Sequence, residues 1–237
     1  MTERHTTFPS ASKAFLLAMC AWGMAAIAPG ATAASNCHGT VNRGSIEGSV
    51  QLPPEGANFT AYSPVAVAMR RNHVHSEVSA IILEAYAKLE LAAPKAQYVY
   101  GETGNEYGGR FRPHRTHQNG LSVDFFVPVH GRDGLPARLP TPATQHFGYD
   151  IEFDRTARYG EYSIDFTAMA EHLYQLDQAA RARGRGIAQV IFDTAYLPRL
   201  FATPRGAALK KLNFMKGKPW VRHDEHYHVD FAVPCLK

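Results

Sequence analysis

The chain has 237 residues, of which 45% are hydrophobic and 19% charged, and its formal net charge is +4. That is enough apolar material for one domain with a substantial core, or one domain and a small appendage, with no internal repeat and no low-complexity linker. The positive excess suits an anionic polymer as partner and is too small to argue for nucleic acid.

Residues 1–33 read as a secretory signal. Arg4 and Lys13 supply a basic start, an apolar run follows from Ala14 to Ala28, and Ala31-Thr32-Ala33 has the small-x-small form of a cleavage site. The run is short for a membrane span and nothing comparable follows it. The expected product begins near Ala34, is periplasmic and carries no integral membrane segment. Without the signal the net charge is +3, and the cysteines that remain, Cys37 and Cys235, stand one near each end. An oxidising exported setting favours joining them as a disulfide.

Residues 34–70 are rich in Gly, Pro, Ser and Asn without a clear period, which predicts a wrapping N-terminal segment ahead of a domain at 71–237. Asn72 can cap a helix whose apolar positions Val78, Ile81, Ile82, Ala85 and Leu89 recur at helical spacing up to Pro94. Gln97 to Tyr100 reads as a short strand, followed by a glycine-rich loop to His117. Leu121 to Val129 reads as a second strand, and Gly131 to Tyr159 as an irregular excursion. Ser163 or Asp165 can cap a second helix, in which Met169, Leu173 and Leu176 share one side and Gly184 stops the run. Ile187 to Phe192 predicts a strand, Pro204 a short helix, and Tyr227 to Val233 a closing strand that pairs with the one carrying Asp124. The fold class expected is α+β, with a small antiparallel sheet flanked by helices.

Five of the twelve histidines fall in two short stretches, His114 and His117, then His223, His226 and His228. Strand alternation sets Leu121, Val123, Phe125 and Val127 on an apolar face and Ser122 and Asp124 on the other. Gly120 permits a sharp entry, so His117 can fold back toward Asp124. Residues two apart on a strand project to one side, which lets His226 and His228 reach one centre. Two imidazoles and a carboxylate, with a position left open for water, suit catalytic zinc, so the sheet is expected to carry a zinc site. Glu225 is expected on the face away from His226. His73, His75, His130, His146 and His172 read as surface or capping residues. Arg110, Arg112 and Arg115 flank the first stretch, where they could grip substrate carboxylates with two-pronged contacts.

These motifs resemble those of the penicillin-insensitive murein endopeptidases. They belong to a wider group of zinc enzymes that includes lysostaphin-type and D-alanyl-D-alanine peptidases and shares its metal fold with the hedgehog signalling domain. The matching residues are Gly108-Gly109, His114, the run His117-Gln118-x-Gly120-Leu121-x-Val123-Asp124, and Pro219-Trp220 leading into His223-Asp224-x-His226-x-His228. The resemblance implies zinc on His117, Asp124 and His228, His226 as catalytic base or transition-state stabiliser, and His223 close by as a second catalytic residue. His114 is implied as a second-metal ligand or near neighbour of the zinc. The implied substrate is the peptide cross-link of peptidoglycan, cut between D-alanine and meso-diaminopimelate or between two diaminopimelates. Two readings stand beside it: another peptidoglycan zinc hydrolase, either a D-Ala-D-Ala peptidase or an amidase, and a non-catalytic zinc-containing wall-binding domain.

Overall fold

The structure, a computed structural model, describes residues 1–2, 34–141, 150–217 and 219–236. Most of the signal-like segment, and His146, lie outside the described residues.

The N-terminal segment carries more order than its composition predicts. An antiparallel hairpin forms from β1 (Asn36–Thr40) and β2 (Arg43–Glu47). It is followed by β3 (Val50–Gln51), β4 (Phe59–Ala61) and α1 (Pro64–Ala68), whose cap is Ser63. β5 (His73–Val74) pairs with β3, which keeps the chain extended past Asn72. The cap of α2 (Ser76–Ala92) is therefore His75, whose Nδ1 accepts from the Glu77 amide at 3.1 Å. Val78, Ile81, Ile82, Ala85 and Leu89 are all fully buried, as their spacing predicts.

After β6 (Tyr98–Tyr100) and β7 (Ser122–Phe126) the predicted long strand is interrupted at Val127-Pro128 and resumes as β8 (Val129–His130). Proline has no amide to give a ladder, so pairing passes to a second sheet. There β8 joins β9 (Pro136–Ala137), β10 (Arg158–Tyr159) and β11 (Tyr162–Ile164) in the order β10-β11-β8-β9, which gives part of the excursion a regular structure. α3 (Phe166–Ala182) is capped by Asp165, whose side chain accepts from the Ala168 amide, and Gly184 follows at φ +66°. The remaining elements are β12 (Ile187–Ile191), α4 (Leu197–Phe201), α5 (Gly206–Leu209) and β13 (His226–Phe231).

The main sheet has the order β12-β13-β7-β6-β4. Its pairs are antiparallel except β4 with β6, which run parallel, so the N-terminal segment contributes an edge strand and the sheet is not wholly antiparallel. At its centre Tyr227 pairs with Phe125, His228 with Asp124, Val229 with Val123 and Asp230 with Ser122. Alternation then separates two chemistries. Val123, Phe125, Tyr227 and Val229 are completely or almost completely buried. Phe125 and Tyr227 meet His172 of α3, which in turn stacks on Tyr86 of α2. Each buried aliphatic or aromatic side chain contributes about 1.5–3 kcal/mol. This core holds rigid the two strands whose other faces carry Asp124, His226, His228 and Asp230.

The chain's ends are joined as expected: Cys37 and Cys235 form a disulfide.

Candidate metal centre

The first histidine stretch reaches the sheet through a tight reversal. His117 lies in the left-handed region at φ +66°, rarely occupied by residues other than glycine, and its amide donates to Ser122 Oγ at 3.3 Å. Gly120 at φ +75° is required here, because a Cβ would stand 2.6 Å from Ile46 Cδ1 and 2.8 Å from the His75 amide nitrogen.

Four imidazoles surround the Asp124 carboxylate, and each is tethered through its outer ring nitrogen. His117 Nδ1 faces the Thr103 carbonyl at 3.0 Å, and its Nε2 lies 3.3 Å from Asp124 Oδ1, buried and without a hydrogen bond. His228 Nε2 is 2.8 Å from Asp230 Oδ1, itself held by Ser122 Oγ at 2.6 Å, and His228 Nδ1 is 2.8 Å from Asp124 Oδ1. His114 Nε2 is 2.7 Å from Glu102 Oε2, and its Nδ1 is 3.5 Å from Asp124 Oδ2. His226 Nδ1 is 2.8 Å from Glu225 Oε1, with Nε2 3.9 Å from Asp124 Oδ2. His117 and His228 thus face one oxygen of Asp124, and His114 and His226 face the other.

Carbonyl and carboxylate oxygens only accept, so the outer nitrogens of these rings donate and their inner nitrogens present lone pairs or take up protons. Lone pairs converging on a carboxylate repel one another unless a cation stands among them. The donor set, the unpartnered His117 Nε2 and the outer tethers that orient ligating imidazoles therefore fit a metal ion. Within this group His114, His117 and Asp124 each bring a ligand atom within 4.8 Å of the others, so they could hold a metal ion. A void of about 10 Å³, the room of one water or ion, is bounded by Tyr62, Glu102, His114, Asp124 and His226.

Burial opposes charge on His228, but Asp230 and Asp124 outweigh it and push the imidazole up to about 10. Burial is likewise overcome at His226, which Glu225 and Asp124 raise to about 9. Burial also opposes ionisation of Asp124, yet His117 and His226 hold its carboxyl well below the usual range. His223 behaves in the opposite way: burial, then the neighbouring His226, push it down to about 3. Its ring lies 4.7 Å from that of His226, and its Nδ1 bonds the Val221 carbonyl at 2.9 Å.

Some expectations change. Glu225 precedes the first paired residue of β13, so the strand phase does not turn it away, and its carboxylate reaches His226. His172 and His73 are buried rather than on the surface; His172 lies among aromatic rings, and His73 bonds Ser49 Oγ at 2.9 Å. His75 does cap a helix, and His130 pairs with Asp165 at 3.2 Å. Sequence reasoning passed over Glu102, Thr103 and Asp230, the partners of His114, His117 and His228. Asp230 was legible as the next same-side position after His228.

The site opens on a cleft of about 500 Å³ whose walls include His114, Arg115, Trp220, His223, His226 and His228. Arg110, Arg112 and Arg115 are exposed and, with Asn42, His114 and Gln118, line an adjoining cleft of about 470 Å³.

A cluster of histidines and one aspartate, tethered from behind and open to a cleft, defines a candidate metal centre on a mixed scaffold of helices and mainly antiparallel strands. The chain belongs to the penicillin-insensitive murein endopeptidase family, whose sequence model matches residues 37–236. Relatives named penicillin-insensitive murein endopeptidase from Escherichia coli (strain SE11) and Shigella boydii serotype 18 are each 24% identical over 198 residues. One of the same name from Escherichia coli O157:H7 is 23% identical over 198 residues. The match covers 83% of this chain and 66% of each relative, so the chain spans just under two thirds of their length. Among the described residues no helix is long and apolar enough to cross a membrane.

Proposed function

We propose that the protein is an exported, zinc-dependent murein endopeptidase acting in the periplasm. Its substrates would be peptidoglycan cross-links, between D-alanine and meso-diaminopimelate or between two diaminopimelates. The observation that carries this reading is the group of four imidazoles, each fixed by its outer nitrogen and aimed at Asp124. Family membership supports the substrate class.

In this reading His117, Asp124 and His228 hold the zinc, and His114 stands beside it on the second oxygen of Asp124. Zinc held there would supply Lewis acidity for a carbonyl and lower the pKa of water toward neutrality. Asp230 and Thr103 orient His228 and His117. His226, oriented by Glu225, handles protons or stabilises negative charge at the reacting carbonyl, and neutral His223 shapes the pocket beside it. The cleft of about 500 Å³ would receive the substrate peptide.

The deciding experiment follows monomer release from a purified cross-linked muropeptide dimer, with products identified by mass spectrometry. A chelator should abolish release, added zinc should restore it, and penicillin should leave it intact, because no serine is acylated. Release stopped by penicillin and not by chelation would overturn the reading. Product masses separate it from a D-Ala-D-Ala peptidase or an amidase, and absence of any product would favour a binding domain.

A further inference from the structure

The two clefts beside the metal centre meet at His114 and Arg115, which line both. Their chemistries differ. One is walled by Trp220 and Val221, which are 42% and 48% exposed, together with Pro113. The other is bounded by the guanidiniums of Arg110, Arg112 and Arg115, with Asn42 and Gln118 as neutral neighbours and no carboxylate in its lining. None of these three arginines forms an ion pair among the described residues, whereas Arg71, Arg183, Arg205 and Arg222 each have a carboxylate partner. Arg115 is also fixed at the seam, its guanidinium 5.5 Å over the Trp220 ring. Guanidiniums gathered without counter-charge around a concave surface attract an anion, and their planar fork matches a carboxylate.

The proposed substrate supplies one in the right place. In either type of cross-link, the carbon that bears the scissile amide nitrogen also bears a free carboxylate, so that charge lies next to the reacting bond. We propose that the cleft bounded by Arg110, Arg112 and Arg115 binds this carboxylate. The protein would then select cross-links in which it is ionised over those in which it is amidated. The inference rests on the endopeptidase reading above and adds the polarity of the substrate: the amine side of the scissile bond lies toward the arginines and the acyl side toward Trp220.

The test uses the zinc-loaded full chain and two cross-linked dimers that differ only in whether this carboxylate is free or a carboxamide. The wild type should cleave the free form with kcat/KM higher by about 10- to 100-fold, the worth of a charge-assisted bidentate contact. Arg110→Ala and Arg112→Ala, which line only the adjoining cleft, should raise KM for the free form, leave the amidated form nearly unchanged, and keep the wild-type zinc content and melting temperature. Equal cleavage of both dimers by the wild type, or equal losses on both in the variants, overturns the assignment. Calorimetric titration of free and amidated muropeptide monomers gives a second readout that needs no turnover. Tighter binding of the free form, lost in the variants, upholds the carboxylate cleft even where neither dimer is cut, a result that would count against the endopeptidase reading alone. Equal binding of both monomers overturns the cleft.

Discussion

His228 and His172 are both enclosed, 2% and 0% exposed, and they lie on opposite faces of one sheet, yet burial has opposite outcomes for them. His228 stands between Asp230 and Asp124 and is pushed up to about 10. His172 packs among Tyr86, Tyr98, Phe125 and Tyr227, bonds the Tyr227 hydroxyl through Nδ1, and is pushed by burial down to about 3. Tyr227 immediately precedes His228, so a single step along β13 crosses from a core that excludes charge to a site that collects it. What a buried histidine does is decided by whether carboxylates or rings face it.

The largest effect should come from emptying the charged face. Asp124→Ala is expected to lose bound metal and lower activity by at least on the order of 10³-fold, since a Lewis acid supplies several kcal/mol to the transition state. His117→Ala and His228→Ala should behave alike. His226→Ala should keep its metal while activity falls about 10²- to 10⁴-fold, the range of general acid–base catalysis. Metal content by elemental analysis, measured beside turnover, decides the assignment, and equal metal loss in all four variants would refute it.

Asp230→Asn should have a smaller effect, because it leaves every atom facing Asp124 in place and removes only the charge behind His228. Such outer partners are worth about 10- to 100-fold in metal affinity. Competition against a graded series of chelators would measure this, and unchanged affinity would show that the tether is structural only.

On the apolar face, His172→Phe should leave metal content unchanged and cost about 1–2 kcal/mol at pH 7.5, because the buried Tyr227 hydroxyl loses its hydrogen-bond partner. Denaturant melts with metal analysis separate the two faces. Should the variant lose metal as well, the faces are coupled and the contrast drawn here is broken.

The smallest and most specific effect is on pH dependence. The imidazole of His172 is depressed from 6.5 to about 3 in the folded chain, so its contribution to stability is present above 6.5 and lost as pH falls toward 3. Other groups titrate too: Asp224, raised by burial to about 7, loses its contribution as pH rises through that value. Comparing wild type with His172→Phe cancels those shared terms. The wild-type advantage should shrink by about 1.4 kcal/mol per pH unit below 6.5 and change sign between about pH 5 and 6. Parallel stability curves for the two proteins would contradict this.

Much of this contrast was readable in the chain. Period-two alternation brought His226 and His228 to one side, and helical spacing found α2 and α3. His172 falls three residues after Met169, on the same buried stripe as Leu173 and Leu176, so its place in the core was legible from spacing alone. Glu102 was not: it sits in a glycine-rich loop, and only the closing of β6 against β7 brings it to His114. The strands of residues 34–70 were hidden for another reason. They run two to five residues each, too short for alternation to show, and β3 and β4 pair with strands beyond residue 70.

The disulfide gives the molecule a covalent topology as well as a fold. Cys37 and Cys235 are 198 positions apart, so nearly the whole described chain is a closed ring. A protease that nicks this ring once produces no separable fragment, because both pieces stay linked through sulfur, and the hydrogen bonds between Cys37, Gly39 and Leu236 keep the cut halves registered where the ring closes. Two cuts, or one cut and a reductant, are needed before any piece can leave.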